Sequence, residues 1–455
     1  MENKSGWLRI DEKKKKEVMS FAEEYKKFLK EVKTEREAVN FFENISKNNG
    51  FEPLEKAKKL GKGKYYIIKN GKAMALLNVN EDIEKGFSII AAHIDSPRLD
   101  LKPNPIIEDK DSQTVLFKTH YYGGIKKYQW VSRPLSIHGV VVKKSGEKVN
   151  VNIGEDMDDP VFSIPDLLPH LSRKVQGEKK LLEGFEGEDL QLIVSHIPDE
   201  KDEKNPFKSS LLKLLKEKYN IKEEDLYSSD LEIVPAHQPR DVGFDKSILG
   251  AYGQDDRICA FTSVKAMLDS NKKRNTIVIL FDKEEIGSDG NVGAQSNFIE
   301  YVIARALDLD GQKYSYGTLL EIMTKSKVIS ADVNAVINPL FKQVHDLNNA
   351  AKAGMGVVVT KYTGSGGKYG SSEAQAELIA EIMDLFDKKN VIYQFGLLGK
   401  VDEGGGGTVA KFLAKYGMQV VDMGPGLISM HSPFELVSKF DIWSTYQAYK
   451  AFLEG

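Results

Sequence analysis

The stretch NTIVILFDKEEIGSDG, residues 275–290, decides how the rest of the chain is read. Five apolar residues in a row, rich in β-branched types, read as a strand buried on both faces, and such strands belong to sheets covered by helices on each side. A helical stretch near 256–270 precedes it, and the apolar runs KVISADVN, MGVVVTKY, NVIYQFGLL and MQVVDMGP follow it as further strands. Helical segments near 372–389, 407–416 and 434–452 separate them, so the C-terminal half reads as a layered α/β domain. Upstream, GFSIIAAHIDSP is another dense apolar strand, and YYIIK and MALLNV flank an Asn70-Gly71 hairpin signal. Residues 8–48 read as helical, with Val18, Phe21, Tyr25, Phe28 and Leu29 recurring at helical spacing.

Between about Lys102 and Ala236 the character changes. TVLFKTHYY, LSIHGVVVKK, VNVNIG and DLQLIVSHIP are short β segments, and the charged stretch Asp199–Asp225 reads as exposed helix and loop. The economical organisation is one α/β domain, residues 1–102 and 237–455, interrupted by a β-rich insertion at 103–236. Length alone, at 455 residues, favours two domains.

Composition narrows the function classes. With 41 % hydrophobic and 29 % charged residues the chain is globular in balance. A net charge of −3 gives nucleic acid no general electrostatic attraction, and the Lys13–Lys16 run is flanked by acids and reads as a solvated helix face. No apolar stretch approaches the roughly eighteen residues of a membrane span, and the polar N-terminus has no secretory core. One cysteine, Cys259, fits a reducing cytoplasm.

The chemistry sits where strands end. The pair Glu284-Glu285 would repel and be costly to desolvate unless a cation offset the charge. One of the two can bind metal while the other acts as base toward the attacking water, although an exposed acidic loop is the plain alternative. AAHIDSP places His93 and Asp95 two apart, where a carboxylate can hold the second nitrogen of a ligating imidazole. GAYGQDDRICAF places Asp255 and Asp256 before a helix; they are either caps or, for Asp255, a carboxylate shared by two ions. Asp332 follows the strand of KVISADVNAV, and His431 in GLISMHSPFE precedes a helix. Nitrogen and oxygen ligands without thiolates suit zinc, cobalt or manganese, and strand ends along one edge of a parallel sheet converge.

The order His-x-Asp, Asp-Asp, Glu-Glu, Asp, His resembles the co-catalytic zinc aminopeptidases. AAHIDSPRLDLKPNP, GAYGQDDRICAF and SMHSPFE resemble the aspartyl aminopeptidase family, its bacterial aminopeptidase 1 members included, over most of the chain. That resemblance implies a zinc-aminopeptidase-like three-layer domain with a mixed sheet and an inserted β-rich dimerisation domain. It implies a metalloaminopeptidase that hydrolyses the N-terminal residue from peptides with a water activated by two divalent metal ions, zinc foremost and cobalt or manganese as substitutes. His93 and Glu285 would bind one ion, Asp332 and His431 the other, and Asp255 both; Asp95 would orient His93 and Glu284 would move the proton. His170, in SIPDLLPHLSR, corresponds to a family histidine that reaches a neighbouring active site. Lys361 stands where relatives carry a lysine near the substrate. The family implies a homo-oligomer, a tetrahedral dodecamer built from dimers, acting on peptides in the cytoplasm without membrane or nucleic acid. The run Gly404–Gly407 departs from the eukaryotic pattern and reads as a pocket-shaping turn, which leaves acidic preference open. A dinuclear deacylase or carboxypeptidase of the same clan is the competing reading.

Overall fold

A computed structural model describes residues 4–271, 273–311 and 315–455. Its residue contacts divide the chain into two units, the first made of residues up to Asp95, Pro239–Met430 and Phe434–Gly455, the second of Ser96–Gln238 and His431–Pro433.

The first unit opens with helices α1 (Glu12–Glu31) and α2 (Glu35–Asn48). Their break follows from local chemistry: the Thr34 hydroxyl accepts from Glu37 N at 3.3 Å while the Glu37 carboxylate accepts from Thr34 N at 3.0 Å, a reciprocal cap that starts a new helix. In α1, Val18, Phe21, Ala22, Tyr25, Phe28 and Leu29 are buried along one face, and Lys13, Lys14 and Lys16 are exposed on the other. Strands β1 (Gly63–Lys69) and β2 (Ala73–Val79) form a hairpin joined by Asn70, Gly71 and Lys72, in which Asn70 and Gly71 have positive φ and Lys72 N donates to the Lys69 carbonyl oxygen at 3.0 Å.

The remaining principal elements are β3 (Ser88–His93), β4 (Ile248–Ala251), α3 (Gln254–Asp269), β5 (Thr276–Phe281), α4 (Phe298–Asp310), α5 (Tyr316–Lys325), β6 (Lys327–Ala331), β7 (Val357–Thr360), α6 (Ala376–Lys389), β8 (Tyr393–Phe395), β9 (Gln419–Gly424), β10 (Glu435–Ser438) and α7 (Lys439–Glu454). Among the described residues the main sheet has nine strands, in the order Glu52–Pro53, β1, β2, β5, β3, β6, β9, β7, β8. Its centre, β5-β3-β6-β9, is parallel, and β2 and β7 flank it antiparallel. Successive residues of β5 enter different cores: Val278 and Leu280 pack with α1, α2, α3, α6 and α7, and Ile277, Ile279 and Phe281 pack with α4 and α5. Burial on both faces is why this strand is apolar at every position. A three-layer α/β arrangement with a mixed sheet results. A five-stranded sheet in the same unit joins Arg240–Val242, β4, β10, Gly426–Ile428 and Asn334–Ala335.

The second unit is built on a six-stranded sheet, antiparallel throughout, in the order Lys148–Ile153, Leu135–Val142, Ser229–Pro235, Arg98–Asp109, Thr114–Tyr122, Gln191–Ser195. It also carries helices Pro169–Val175 and Pro206–Tyr219. The sequence reading has no counterpart to the long strand Arg98–Asp109, because Pro103 and Pro105 interrupt it. Its pairing shifts register between Leu101 and Ile106, the interval that holds both prolines and their missing amides. Among the described residues no helix is long and apolar enough to cross a membrane.

Candidate active site

Parallel pairing brings the chemistry of the first unit together. His93 ends β3 directly opposite Phe281, the last residue of β5. Three residues beyond Phe281 the chain turns through Glu284–Ile286. Asp332 follows β6, which lies on the other side of β3. The glycine at position 424 lets this happen: a Cβ there would lie 2.1 Å from the Asp332 carbonyl oxygen. Asp255 and Asp256 stand at the mouth of α3 with non-helical backbone, φ −82° and ψ 105° at Asp255, and the peptide between them is cis.

Around the buried His93 ring, Nε2 lies 3.2 Å from Asp255 Oδ1, 3.9 Å from Glu284 Oε2 and 3.9 Å from Asp332 Oδ1. The other nitrogen, Nδ1, lies 3.3 Å from Asp95 Oδ1 and 3.1 Å from the Asp95 carbonyl oxygen. Asp95 in turn accepts from the backbone N–H of Glu284 through Oδ1 and of Glu285 through Oδ2, each at 3.1 Å. One side chain therefore orients the imidazole and the acidic turn together. The His93 N–H reaches Asp256 Oδ2 at 3.4 Å.

Burial alone would lower the His93 imidazole, but its contacts with Asp255 and Asp95, backed by Asp332 and Asp256, hold it well above the usual histidine range. Asp332 is driven well up by burial; His93 offsets part of this, and Asp256, Asp255 and Glu284 add to it. Burial also raises Asp256, with His93 opposing and Asp255 reinforcing the rise. So many carboxylates around one imidazole cannot all ionise without added positive charge. The donor set fits divalent cations: one ligand atom each from His93, Asp255 and Glu285 lies within 4.8 Å of the others, and the same holds for His93, Asp256 and Asp332. Oxygen and nitrogen donors in this number suit zinc and its neighbours.

Of the residues singled out from sequence, the structure gathers His93, Asp95, Asp255, Glu284, Glu285 and Asp332. His431 groups by its contacts with the second unit, where Nδ1 lies 3.0 Å from the Gly124 carbonyl oxygen. His170 is exposed on Pro169–Val175, a helix with no buried residue, also in the second unit. Lys361 is exposed after β7, which runs antiparallel to β9 and so leaves the sheet toward the edge opposite to the one β6 reaches. Thr360 before it nonetheless receives a hydrogen bond from Asn334 Nδ2 at 2.7 Å. The glycine run pairs Gly405 and Gly406 with Ser365 and Gly364 in a short two-stranded antiparallel sheet, so close that a Cβ on Gly405 would lie 2.4 Å from Ser365 Cβ. Two residues escaped the sequence reading as members of the cluster. Asp256 looked like a helix cap, and Glu435, which accepts backbone N–H groups from Gln254 and Asp255, closes the motif SMHSPFE but has no role of its own in the sequence reading.

Comparison with known proteins bears on this cluster. The family model for Peptidase M18, described as aminopeptidase I zinc metalloprotease, matches residues 28–453. A protein of Thermotoga maritima named probable M18 family aminopeptidase 1 is 49 % identical over 455 residues, covering 100 % of this chain and 99 % of that protein. A crystal structure of an M18 family aminopeptidase from Thermotoga maritima superposes with a TM-score of 0.96 at 48 % identity, covering 100 % of this chain and 99 % of that one. The structure of the S. cerevisiae mApe1 dodecamer, 23 % identical with a TM-score of 0.76 and coverage of 95 % and 96 %, shares the fold.

Proposed function

Because the chain belongs to the M18 family of aminopeptidase I zinc metalloproteases, hydrolases that remove N-terminal residues from peptides, we propose that its active site is the cluster around His93, acting with two divalent ions. His93 and Glu285 would hold one ion and Asp332 and His431 the other, with Asp255 available to both. Such ions would supply an activated water and polarise the scissile carbonyl. The assignment of His431 rests on the sequence resemblance.

The protein's own part is proton handling and orientation. Glu284 takes the proton of the attacking water and delivers it to the leaving amine, its reach set by the Asp95 bond to its backbone N–H. Asp95 fixes the His93 ring so that Nε2 faces Asp255 and Asp332. His170 of a second copy stabilises the developing oxyanion. On the sequence resemblance alone, Lys361, which β7 carries toward the opposite edge of the sheet, is the candidate for pairing with an acidic N-terminal side chain. The residues 103–236 act as a dimerisation insertion, and the assembly is a tetrahedral dodecamer; mApe1, which shares the fold, is a dodecamer. The preferred ion is zinc, with cobalt and manganese as working substitutes, and the setting is the cytoplasm.

One observation carries this reading: His93, Asp255, Glu284, Glu285 and Asp332, scattered over 240 positions of sequence, meet around one buried imidazole whose second nitrogen is held by a carboxylate. The test is a panel of aminoacyl chromogenic substrates, free and N-acylated, after reloading the metal-free protein with zinc, cobalt or manganese. Metal-dependent release from free-amine substrates alone is expected. Turnover of the N-acylated set instead would move the assignment to a deacylase of the same clan.

A further inference from the structure

Glu435 opens β10 and is 1 % exposed, a carboxylate placed deep in a protein interior. Antiparallel register sets it beside Ala251, the last residue of β4. Two residues later Gly253, at φ 70° and ψ 30°, reverses the chain. The reversal aims two consecutive amides at one oxygen: Glu435 Oε2 accepts from Gln254 N at 2.6 Å and from Asp255 N at 3.1 Å. The Gln254 side chain answers, its Nε2 donating to the Glu435 carbonyl oxygen at 2.6 Å. The clamp thus closes on the backbone of the residue whose carboxylate lies 3.2 Å from His93 Nε2. Backbone angles at Asp255 are non-helical although α3 continues beyond it. Released from the clamp, the backbone of Gln254 and Asp255 would lose its anchor, and the Cα–Cβ direction of Asp255 would be free to vary.

We propose that Glu435 is a positioning residue of the peptidase site: by charge-assisted bonds to the amides of Gln254 and Asp255 it fixes the Asp255 carboxylate beside His93, where it would serve the cations. The inference rests on Asp255 being the shared ligand and deepens that reading. Groups that orient a ligand from behind are worth about 10–100-fold in metal affinity or activity. Glu435 stands four residues after His431 in the sequence, so one segment supplies both a candidate ligand and the clamp for another.

The test uses the full-length protein and E435Q, E435D and E435A. Three quantities are read for each: zinc affinity by competition with a chromophoric chelator, kcat and KM on a free-amine substrate, and the denaturant midpoint of the metal-free protein. E435Q keeps an acceptor oxygen at the same reach but gives up the charge, so it is expected to lose zinc affinity and kcat by less than the range above. E435D withdraws the acceptor by one methylene. It should lose about 10–100-fold in zinc affinity and kcat, with KM little changed and a metal-free midpoint equal to that of E435Q. Wild-type zinc affinity and kcat in E435D overturn the proposal. So does an equal fall in E435Q and E435D accompanied by a lowered metal-free midpoint, because that pattern describes a fold support and nothing more. Should E435A not fold, the comparison of E435Q with E435D still decides. Failure of the peptidase reading looks different: wild type then cleaves no free-amine peptide, and the zinc affinities alone still judge Glu435.

Discussion

Asp95 uses both carboxylate oxygens on backbone amides, those of Glu284 and Glu285, while Oδ1 also faces His93 Nδ1 at 3.3 Å. An asparagine there has one acceptor oxygen, so one amide must lose its partner and the imidazole its anionic neighbour. Asp95→Asn is therefore expected to lower kcat and zinc affinity together, by about 10–100-fold each, as read by steady-state kinetics and chelator competition. Unchanged values in both would remove Asp95 from its orienting role. Glu284→Gln tests the other function on the same turn. The amide keeps the shape but cannot take a proton, so turnover should fall by about 10²–10⁴ while the zinc content of the purified protein stays at the wild-type level. Near-normal turnover would take the base assignment away from Glu284. The pairing Glu284-Glu285 was legible from sequence because adjacent acids at the end of an apolar strand demand an explanation. Asp256 and Glu435 lie inside the motifs that carry the resemblance, but their roles were not legible, because a buried contact to a distant backbone amide leaves no local trace until the chain is folded.

At the scale of elements, helix α7 has a device of its own. Near its N-terminus Asp441 accepts from Gly354 N and Gly356 N, each at 2.7 Å, and so ties the loop before β7 to the helix. Burial pushes its carboxyl up to about 7 even though both amide bonds pull it down. A raised acid binds its proton in the folded state at a pH where the unfolded chain has released it. The resulting stabilisation is present in full below about pH 4 and is lost as pH rises through about 7. From 3.8 to about 7 it amounts to no more than about 4 kcal/mol. Denaturant midpoints from pH 4 to 8 should fall more steeply for wild type than for Asp441→Asn, and parallel slopes would contradict the linkage. The reciprocal cap at the start of α2 gives a plainer expectation: Thr34→Ala should cost about 1 kcal/mol of stability in the same measurement.

Apolar density made most elements readable. β3, β5, β6, β7 and β9 are buried on both faces, and that forces a composition a sequence displays. Where local chemistry opposed the element, as with the prolines of Arg98–Asp109, the strand exists because neighbours on both sides pair with it, and no window of sequence records that.

For the molecule as a whole, metal and assembly should both register in stability and mass. With zinc held at about a hundred times its dissociation constant, binding to the folded state alone adds about 2.7 kcal/mol. Chelation should lower the thermal midpoint, and zinc should restore it; an indifferent midpoint would show that no ion is bound at that strength. In the second unit Leu171 and Val175 on Pro169–Val175 are 65 % and 57 % exposed. If this helix serves subunit contact, Leu171→Glu combined with Val175→Glu should shift sedimentation toward smaller species.

The sequence by itself determined the α/β layering and named the side chains able to bind metal, because burial on two faces and the clustering of acids after strands are properties of short windows. Only the tertiary structure decided which of them meet. That depends on the order β5-β3-β6, which sets strands distant in sequence side by side, and on Asp95 and Glu435, whose roles consist of bonds to backbone amides roughly 180–190 residues away in the chain.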